Sequence, residues 1–398
     1  MTLTKNRGWL AGLVLGLGIG CLSAEAADLP SAEPMAVGMS GERLSRLTDY
    51  ADRMISDEKA SGVVMLVARK GKVVYHEAAG LADIEADEAM TTDHYFRYFS
   101  MTKPIASVAL LMLYEQGKFQ LNDPIEDYLP EFSGITVAVE GGEPVPTDRP
   151  PTVADVFRHS AGFSYAGGLY ESDTLEQLVD RLAQRPLSYQ PGTQWVYSFA
   201  HDVQARLVEV LSGQGFEAFV RQRILEPLGI DAMVVGIPRD MADRFPVTYT
   251  TSEQGDLVPF DIPEETNYQQ VAFGGSSLSG TTMAYARFAQ MLVNGGALDG
   301  VRLLSPKTVA MMGSNQLPEG VSFRDGQGYG LGVRVVLDSA ALGNLTSAGT
   351  FGWSGAASTH FIVDPEEELI AVLMLQYQPS GGRSRDEFET LVYQAIVE

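Results

Sequence analysis

Tyr95-Phe96-Arg97-Tyr98-Phe99-Ser100-Met101-Thr102-Lys103-Pro104-Ile105-Ala106-Ser107-Val108-Ala109-Leu110-Leu111-Met112-Leu113 runs from an aromatic stretch into a segment that is apolar on every side. Such a segment is predicted to be a helix buried all round. Pro104 falls in its first turn, where a missing N–H does little harm, and Gly117 suits the C′ position. Ser100 and Lys103, three residues apart, share one face of the helix, one turn from each other. An amine that close to a serine hydroxyl can help remove its proton, which turns a poor nucleophile into one able to attack an acyl carbon. On these residues alone the alternative is a serine that caps the helix. A second Ser-x-x-Lys, Ser56-Asp57-Glu58-Lys59, lies in a polar run near a predicted helix end and reads as a solvated lysine.

The bulk properties narrow the classes of function. The 398-residue chain carries a net charge of −23, and an acidic surface of this kind repels nucleic acid and anionic lipid. Residues 1–26 read as an export signal: Lys5 and Arg7 lead, Trp9 to Leu22 is apolar but too short and Gly-rich for a membrane span, and Ala24-Glu25-Ala26 offers a small-x-small cleavage site. Ala27 is then the first mature residue and the expected location is periplasmic or secreted. A lipoprotein site at Cys21 ranks second, because Gly18 stands where a leucine-like residue belongs. Cys21 is the single cysteine, so cleavage after Ala26 excludes disulfides, thiol nucleophiles and Cys-based metal sites. The five histidines (His76, His94, His159, His201, His360) show no His-x-x-x-His spacing, which argues against a metal site.

Periodicity organises the rest. Ser40 to Met54 has helical spacing of Leu44, Leu47, Ala51 and Met54. Gly62 to Ala68 and Val73 to Glu77 read as a hairpin around Lys70-Gly71-Lys72. Helical patterns then dominate to about residue 295, interrupted by long loops at 139–151 and 249–267, which read as lids or binding walls. Gly330 to Leu337, Ser358 to Val363 and Leu369 to Leu375 read as strands, with a terminal helix from Asp386. This order predicts an α+β fold: one antiparallel sheet built from both chain ends, flanked by helices, with a helical block inserted. The expected division is 37–95 plus 295–398 for the sheet domain and 96–294 for the mainly helical domain, with the active site between them.

Several further segments carry a resemblance. Gln190-Pro191-Gly192-Thr193-Gln194-Trp195-Val196-Tyr197-Ser198, Arg158-His159-Ser160-Ala161-Gly162-Phe163, Glu226-Pro227-Leu228-Gly229, Gly274-Gly275-Ser276-Ser277-Leu278-Ser279 and residues 352–364, together with 96–103, occur in order across nearly the whole mature chain. Their sequence resembles the class C β-lactamase-like serine hydrolases, on the β-lactamase/penicillin-binding-protein fold, where Ser-x-x-Lys carries the nucleophile. The resemblance implies that Tyr197 joins Ser100 and Lys103 as the catalytic group. Phenol and ammonium have similar ordinary pKa values, suiting them to share a proton as a coupled pair. His159 belongs to a turn of the family and reads as structural.

The chain departs from the lactamase pattern in two places. Tyr-x-Asn is replaced by Tyr197-Ser198-Phe199, and the Lys-Thr-Gly strand by Trp353-Ser354-Gly355-Ala356; Lys307-Thr308-Val309 is a near miss in a helical context. Loss of that lysine removes a cation that would meet a substrate carboxylate, whereas Trp353 offers a large apolar wall. The pattern resembles the family VIII carboxylesterases, which implies a serine esterase acting on small, neutral, short-acyl esters through an acyl-enzyme on Ser100, without a cofactor. By position in that family, the backbone amides of Ser100 and Ala356 form the oxyanion hole, and Trp353, Gly355 and Phe199 contact substrate. Gly355 is expected to let the strand approach the substrate closely. Tyr165 and Phe273 are further candidates for the pocket wall, with core packing as the alternative. Other functions open on the same residues are a β-lactamase or D-alanyl-D-alanine peptidase, an acyltransferase, and a non-catalytic peptidoglycan-binding protein.

Overall fold

The computed structural model describes residues 2, 28–165, 169, 171–262 and 271–398; most of the segment expected to be an export signal, with Cys21, and also Ala27 and the end of the 249–267 loop, lie outside them. The architecture follows from one strand. In β1 (Gly62–Arg69) every residue is buried. Val63, Met65 and Val67 join one hydrophobic cluster with Leu44, Leu47 and Phe388. Val64, Leu66 and Ala68 join a second with Ile105, Phe288 and Val372. Because strand side chains alternate in direction, the apolar run that precedes Arg69 fits only a central strand covered on both faces.

Seven more strands complete that sheet: β2 (Lys72–Asp83), β3 (Glu88–Ala89), β4 (Gln327–Tyr329), β5 (Arg334–Val336), β6 (Phe351–Ser354), β7 (His360–Asp364) and β8 (Leu369–Met374). Their order is β4-β5-β6-β7-β8-β1-β2-β3, antiparallel throughout, with β1 and β8 in register from Val64↔Met374 to Arg69↔Leu369. The two ends of the chain therefore meet at the centre of the sheet. The β1–β2 turn is Lys70-Gly71, both at positive φ (52° and 73°), as a two-residue hairpin turn requires.

Three readings are corrected here. The expected strand at 330–337 is confined to β5 (Arg334–Val336), because residues 330–333 form a turn: Gly332 adopts a φ of 88°, Gly330 N–H donates to Val333 O, and the chain folds back between β4 and β5. The 249–267 segment opens with a hairpin, Tyr249–Thr251 paired with Leu257–Pro259, rather than an unstructured wall. The helix Thr282–Val293 packs on β8, β7 and β1, so the sheet layer takes in a helix that the division at residue 294 assigns to the helical domain.

Seven helices matter for the site: α1 (Gly41–Ser56), α2 (Thr102–Glu115), α3 (Val153–Phe157), α4 (Leu175–Ala183), α5 (Ala200–Ser212), α6 (Thr282–Val293) and α7 (Gly382–Tyr393). α1 and α7 pack on each other at one face of the sheet and α6 covers the opposite face. α2 is buried from Thr102 to Leu113, and Gly117 ends it at a φ of 71°. Among the described residues no helix is long and apolar enough to cross a membrane.

A buried carboxylate fixes the turn after α3. Asp155 is fully buried and accepts from Arg149 Nη1 (2.5 Å), Arg158 Nη2 (2.8 Å), Ser160 Oγ (3.0 Å) and both the amide and hydroxyl of Thr152. Burial alone would raise its pKa; the hydrogen bonds from Arg149, Arg158 and Thr152 outweigh it and hold the group at about 2. A folded pKa below the unfolded one stabilises the protein above the unfolded value, and the contribution is lost as pH falls through the folded value. Asp155→Asn is therefore expected to cost about 2 kcal/mol at pH 7, with the difference from wild type closing between about pH 4 and pH 2. Urea unfolding of both proteins across that range measures it; a gap independent of pH would refute the assignment.

Candidate active site

Ser100 lies in a single 3-10 turn, Phe99–Met101, that leads into α2. The turn is fixed from several directions. Tyr98 Oη donates to Thr281 O (2.7 Å), Tyr285 Oη to Met101 O (2.8 Å) and Thr359 Oγ1 to Tyr98 O (3.2 Å). Phe99, next to Ser100, is held at a φ of +47°, a conformation that costs a non-glycine residue free energy and persists only where its surroundings enforce it. Ser100 caps neither helix with its side chain, which disposes of the capping alternative. Its hydroxyl accepts instead from Lys103 Nζ at 3.2 Å. Lys103 is 1% exposed, and its Nζ also donates to Gly275 O at 2.8 Å.

Tyr197 arrives from the far side of the helical region. Its segment is tied to the turn after α3: Val196 N–H and Tyr189 Oη both donate to His159 O (3.0 and 2.9 Å), and Ser198 Oγ pairs with His159 Nδ1 at 3.1 Å. Gly192 N–H donates to Ser160 O, so the Pro191-Gly192 turn docks on the structure that Asp155 organises. Tyr197 consequently stands with its ring centre 4.6 Å from Lys103 Nζ. Its hydroxyl accepts a hydrogen bond from the indole of Trp353, Nε1 to Oη 3.3 Å.

The third wall is the turn that follows β6. Gly355 N–H donates to Thr359 O. A Cβ at Gly355 would lie 2.2 Å from Thr359 Oγ1 and 2.3 Å from Tyr98 O. This corrects one reading: the close approach that requires glycine is to the protein's own backbone beside Ser100, rather than to substrate. The contact brings Ala356 to the same cleft as Ser100. That cleft, of about 750 Å³, is lined by Ser100, Tyr197, Trp353, Gly355 and Ala356, with Arg385 on its outer side. A larger cavity of about 870 Å³ between α1 and α7 contains none of the candidate residues.

Phe199 is a further correction. It is 1% exposed, lies in the main core and does not line the cleft. As the residue that precedes α5, it turns inward, and its ring is covered by Tyr165 at 4.7 Å between centroids. Phe273 is likewise fully buried. Tyr165 is 40% exposed and meets the Tyr197 ring at 5.4 Å, so of the three it is the one at the rim.

Two groups near the site escape the sequence reading. Asp202, five residues after Tyr197 in the first turn of α5, is fully buried. Its Oδ1 accepts from Gly275 N–H at 3.0 Å, and burial raises its pKa to about 6 against the pull of Lys103. Arg385 donates to Ser354 Oγ at 2.9 Å, and Ser354 pairs with His360 Nδ1, whose Nε2 meets Glu389. Lys103 itself is pulled two ways. Burial favours its neutral form, while ionised Tyr165 and Tyr197 and the Asp202 carboxylate favour the ammonium, with a net upward direction. Burial, with the Lys103 charge, keeps His159 and His201 well below their ordinary range; both are neutral at pH 7. Among the described residues no group of His, Cys, Asp and Glu could hold a metal ion.

Comparison with known proteins places this geometry. Esterase EstB of Burkholderia gladioli is 31% identical over 378 residues, 86% of this chain and 93% of that protein. Among solved structures, EstCE1, described as a hydrolase with promiscuous acyltransferase activity, superimposes with a TM-score of 0.76 at 24% identity, covering 88% of this chain and 99% of its own. The simvastatin synthase LovD of Aspergillus terreus does so with a TM-score of 0.76 at 20% identity, covering 89% and 98%. The Beta-lactamase family pattern matches residues 47–394, and the chain, which carries that fold from its central sheet to its inserted helices, belongs to the beta-lactamase family.

Proposed function

We propose that the protein is a serine hydrolase that cleaves small carboxylic esters through an acyl-enzyme on Ser100. The observation that carries the proposal is the buried amine of Lys103, in hydrogen-bond contact with Ser100 Oγ and beside the Tyr197 ring, two residues that line an open cleft. The similarity to an esterase over most of the chain supports the same reading.

In the proposed reaction Ser100 Oγ attacks the ester carbonyl carbon while its proton passes to the Lys103/Tyr197 pair. The tetrahedral oxyanion is received by the amides of Ser100 and Ala356, each such donor contributing about 2.7–4 kcal/mol at the transition state. The same proton then goes to the departing alkoxide, which leaves as alcohol. Water attacks the acyl-enzyme along the reverse path, releasing the acid and restoring the serine. The Trp353 indole, which donates to the phenol oxygen, strengthens as that oxygen gains negative charge. Ser100→Ala is expected to abolish turnover of a p-nitrophenyl short-chain ester, by at least about 10³-fold. Residual activity near wild type in a pure sample would refute the proposal.

Arg385 favours a second reading of the substrate. The strand lysine is absent, but this guanidinium faces the same cleft, makes no ion pair among the described residues, and is held by Ser354 Oγ one residue from Trp353. A cation so placed suits a carboxylate on the substrate, as in acid-bearing esters or lactams, rather than the neutral esters expected from the sequence. A charge-assisted hydrogen bond contributes about 1.5–3 kcal/mol. On this reading Arg385→Gln lowers kcat/KM for a nitrophenyl ester with a free terminal carboxylate by about tenfold or more. Its neutral methyl ester, and hence the folded site, is affected by less than about twofold. Equal effects on both esters would favour the neutral-substrate reading, and a chromogenic cephalosporin in the same series tests lactams directly.

A further inference from the structure

The buried Asp202 carboxylate is linked to Lys103 through Gly275. One residue joins the two: Lys103 Nζ donates to the carbonyl of Gly275 at 2.8 Å, and the amide of the same residue donates to Asp202 Oδ1 at 3.0 Å. Asp202 Oδ2 is buried and has no hydrogen-bond partner among the described residues. A buried carboxylate that lacks partners on one oxygen is costly unless a nearby positive charge offsets it, and Lys103 is the cation acting on it. The backbone is built around this arrangement. A Cβ at Gly275 would lie 2.9 Å from Asp202 Oδ2, and one at Gly274 would lie 2.1 Å from His201 O, so the Gly-Gly pair lets this turn close over the start of α5. The position in the first turn of α5 also places the carboxylate at the positive end of the helix dipole.

We infer that Asp202 is the buried counter-charge of Lys103, a positioning residue that holds the ammonium beside Ser100 and couples its proton to those of the Lys103/Tyr197 pair. The inference rests on the reading of Ser100, Lys103 and Tyr197 given above. The groups that face this cluster are Lys103 from α2, Tyr165 and Tyr197 from the loops, His201 from α5 and His159 from the turn after α3. Both histidines stay neutral in the working range, so neither titrates in competition.

A consequence for rate against pH follows from the coupling. The active form requires one proton to leave the Lys103/Tyr197 pair, whichever of the two releases it. While Asp202 is ionised, its charge resists that loss; when Asp202 is protonated, the resistance disappears. Between the titration of Asp202 and that of the pair, the active fraction is therefore independent of pH, because a proton moved from the pair to Asp202 leaves the total unchanged. Below about pH 6, where Asp202 binds its own proton, the active fraction falls.

The test compares kcat/KM for a neutral nitrophenyl ester across pH 4.5–9 in wild type and Asp202→Asn, with Ser100→Ala as control. Wild type is expected to rise and then bend to a plateau near pH 6. Asp202→Asn keeps an acceptor for the Gly275 amide but no charge; its profile is expected to meet wild type at acid pH and continue rising beyond the bend, by about tenfold per pH unit. A purely structural role would lower the curve by one factor at all pH, and a bend retained in Asp202→Asn overturns the proposal. Activity surviving in Ser100→Ala instead overturns the reading of the site, so the two failures are distinct. If Asp202→Asn does not fold, an infrared titration of the wild-type protein and of Lys103→Gln decides. A buried carboxyl that protonates near pH 6 and moves to higher pH without Lys103 supports the inference, and no such carboxyl refutes it.

Discussion

An ammonium with 1% of its surface exposed constrains this molecule more than any other group. Removing such a charge from water costs several kcal/mol, and folding must offset that with partners that Lys103 cannot supply locally. Ser100, one turn back on the same chain segment, contributes an acceptor. The carbonyl comes from Gly275 and the carboxylate from Asp202, while the π face comes from Tyr197. These residues are spread over more than 170 positions of sequence, so the burial of one side chain demands that α2, the Gly274-Gly275 turn, the Tyr197 loop and the start of α5 all converge. The helical insertion serves this convergence. It wraps α2, and the buried Asp155 network and the His159 turn carry Tyr197 to the end of α2 where the lysine lies.

The sheet provides the opposite wall by a similar logic. Because β1 and β8 pair at its centre, the strands from the C-terminal part of the chain are held rigidly against those from the N-terminal part. β6 then projects its following turn over the serine. The fit is close enough that Gly355 has no space for a side chain, and Tyr98 O, two residues before Ser100, is the obstacle. Ser100 and Ala356 are thereby referenced to each other through backbone, the stiffest connection available to them.

What the sequence could reveal follows the range of the interactions involved. The Ser100/Lys103 pair and the burial of α2 are local, fixed by helical spacing and an unbroken apolar run, and they were legible. So were the central strands, because residues buried on both faces leave a continuous hydrophobic signature. Tyr197 was legible only through resemblance, since one phenol among sixteen tyrosines carries no local mark. Asp202 was not, because an acidic residue in the first turn of a helix is ordinary for the helix dipole and its burial depends on Gly275. Arg385 sits in Ser-Gly-Gly-Arg-Ser-Arg, a stretch that reads as solvated until α7 is packed beside the cleft. Phe199 failed in the opposite sense: proximity in sequence to Tyr197 suggested the pocket, but the start of α5 turns its side chain into the core. The turn at Gly332 shows the same limit, since strand composition on both sides concealed a backbone reversal.

Trp353 brings these threads together. In the lactamase pattern a lysine occupies its position, and a cation there would lie near the phenol of Tyr197 and so within the field of Lys103. Two cations around one phenol repel each other, and each weakens the other's hold on its proton. The indole keeps a donor on the phenol oxygen, 3.3 Å away, and removes the second charge. The cleft keeps positive charge on other elements, Arg324, Arg334 and Arg385, the last held through Ser354. Hydrogen bonding to the phenol thus falls to a neutral aromatic donor, and the guanidinium of Arg385 is held on a different element. Without a second cation in its neighbourhood, Lys103 keeps the Asp202 carboxylate as an opposite charge acting on it from within the core.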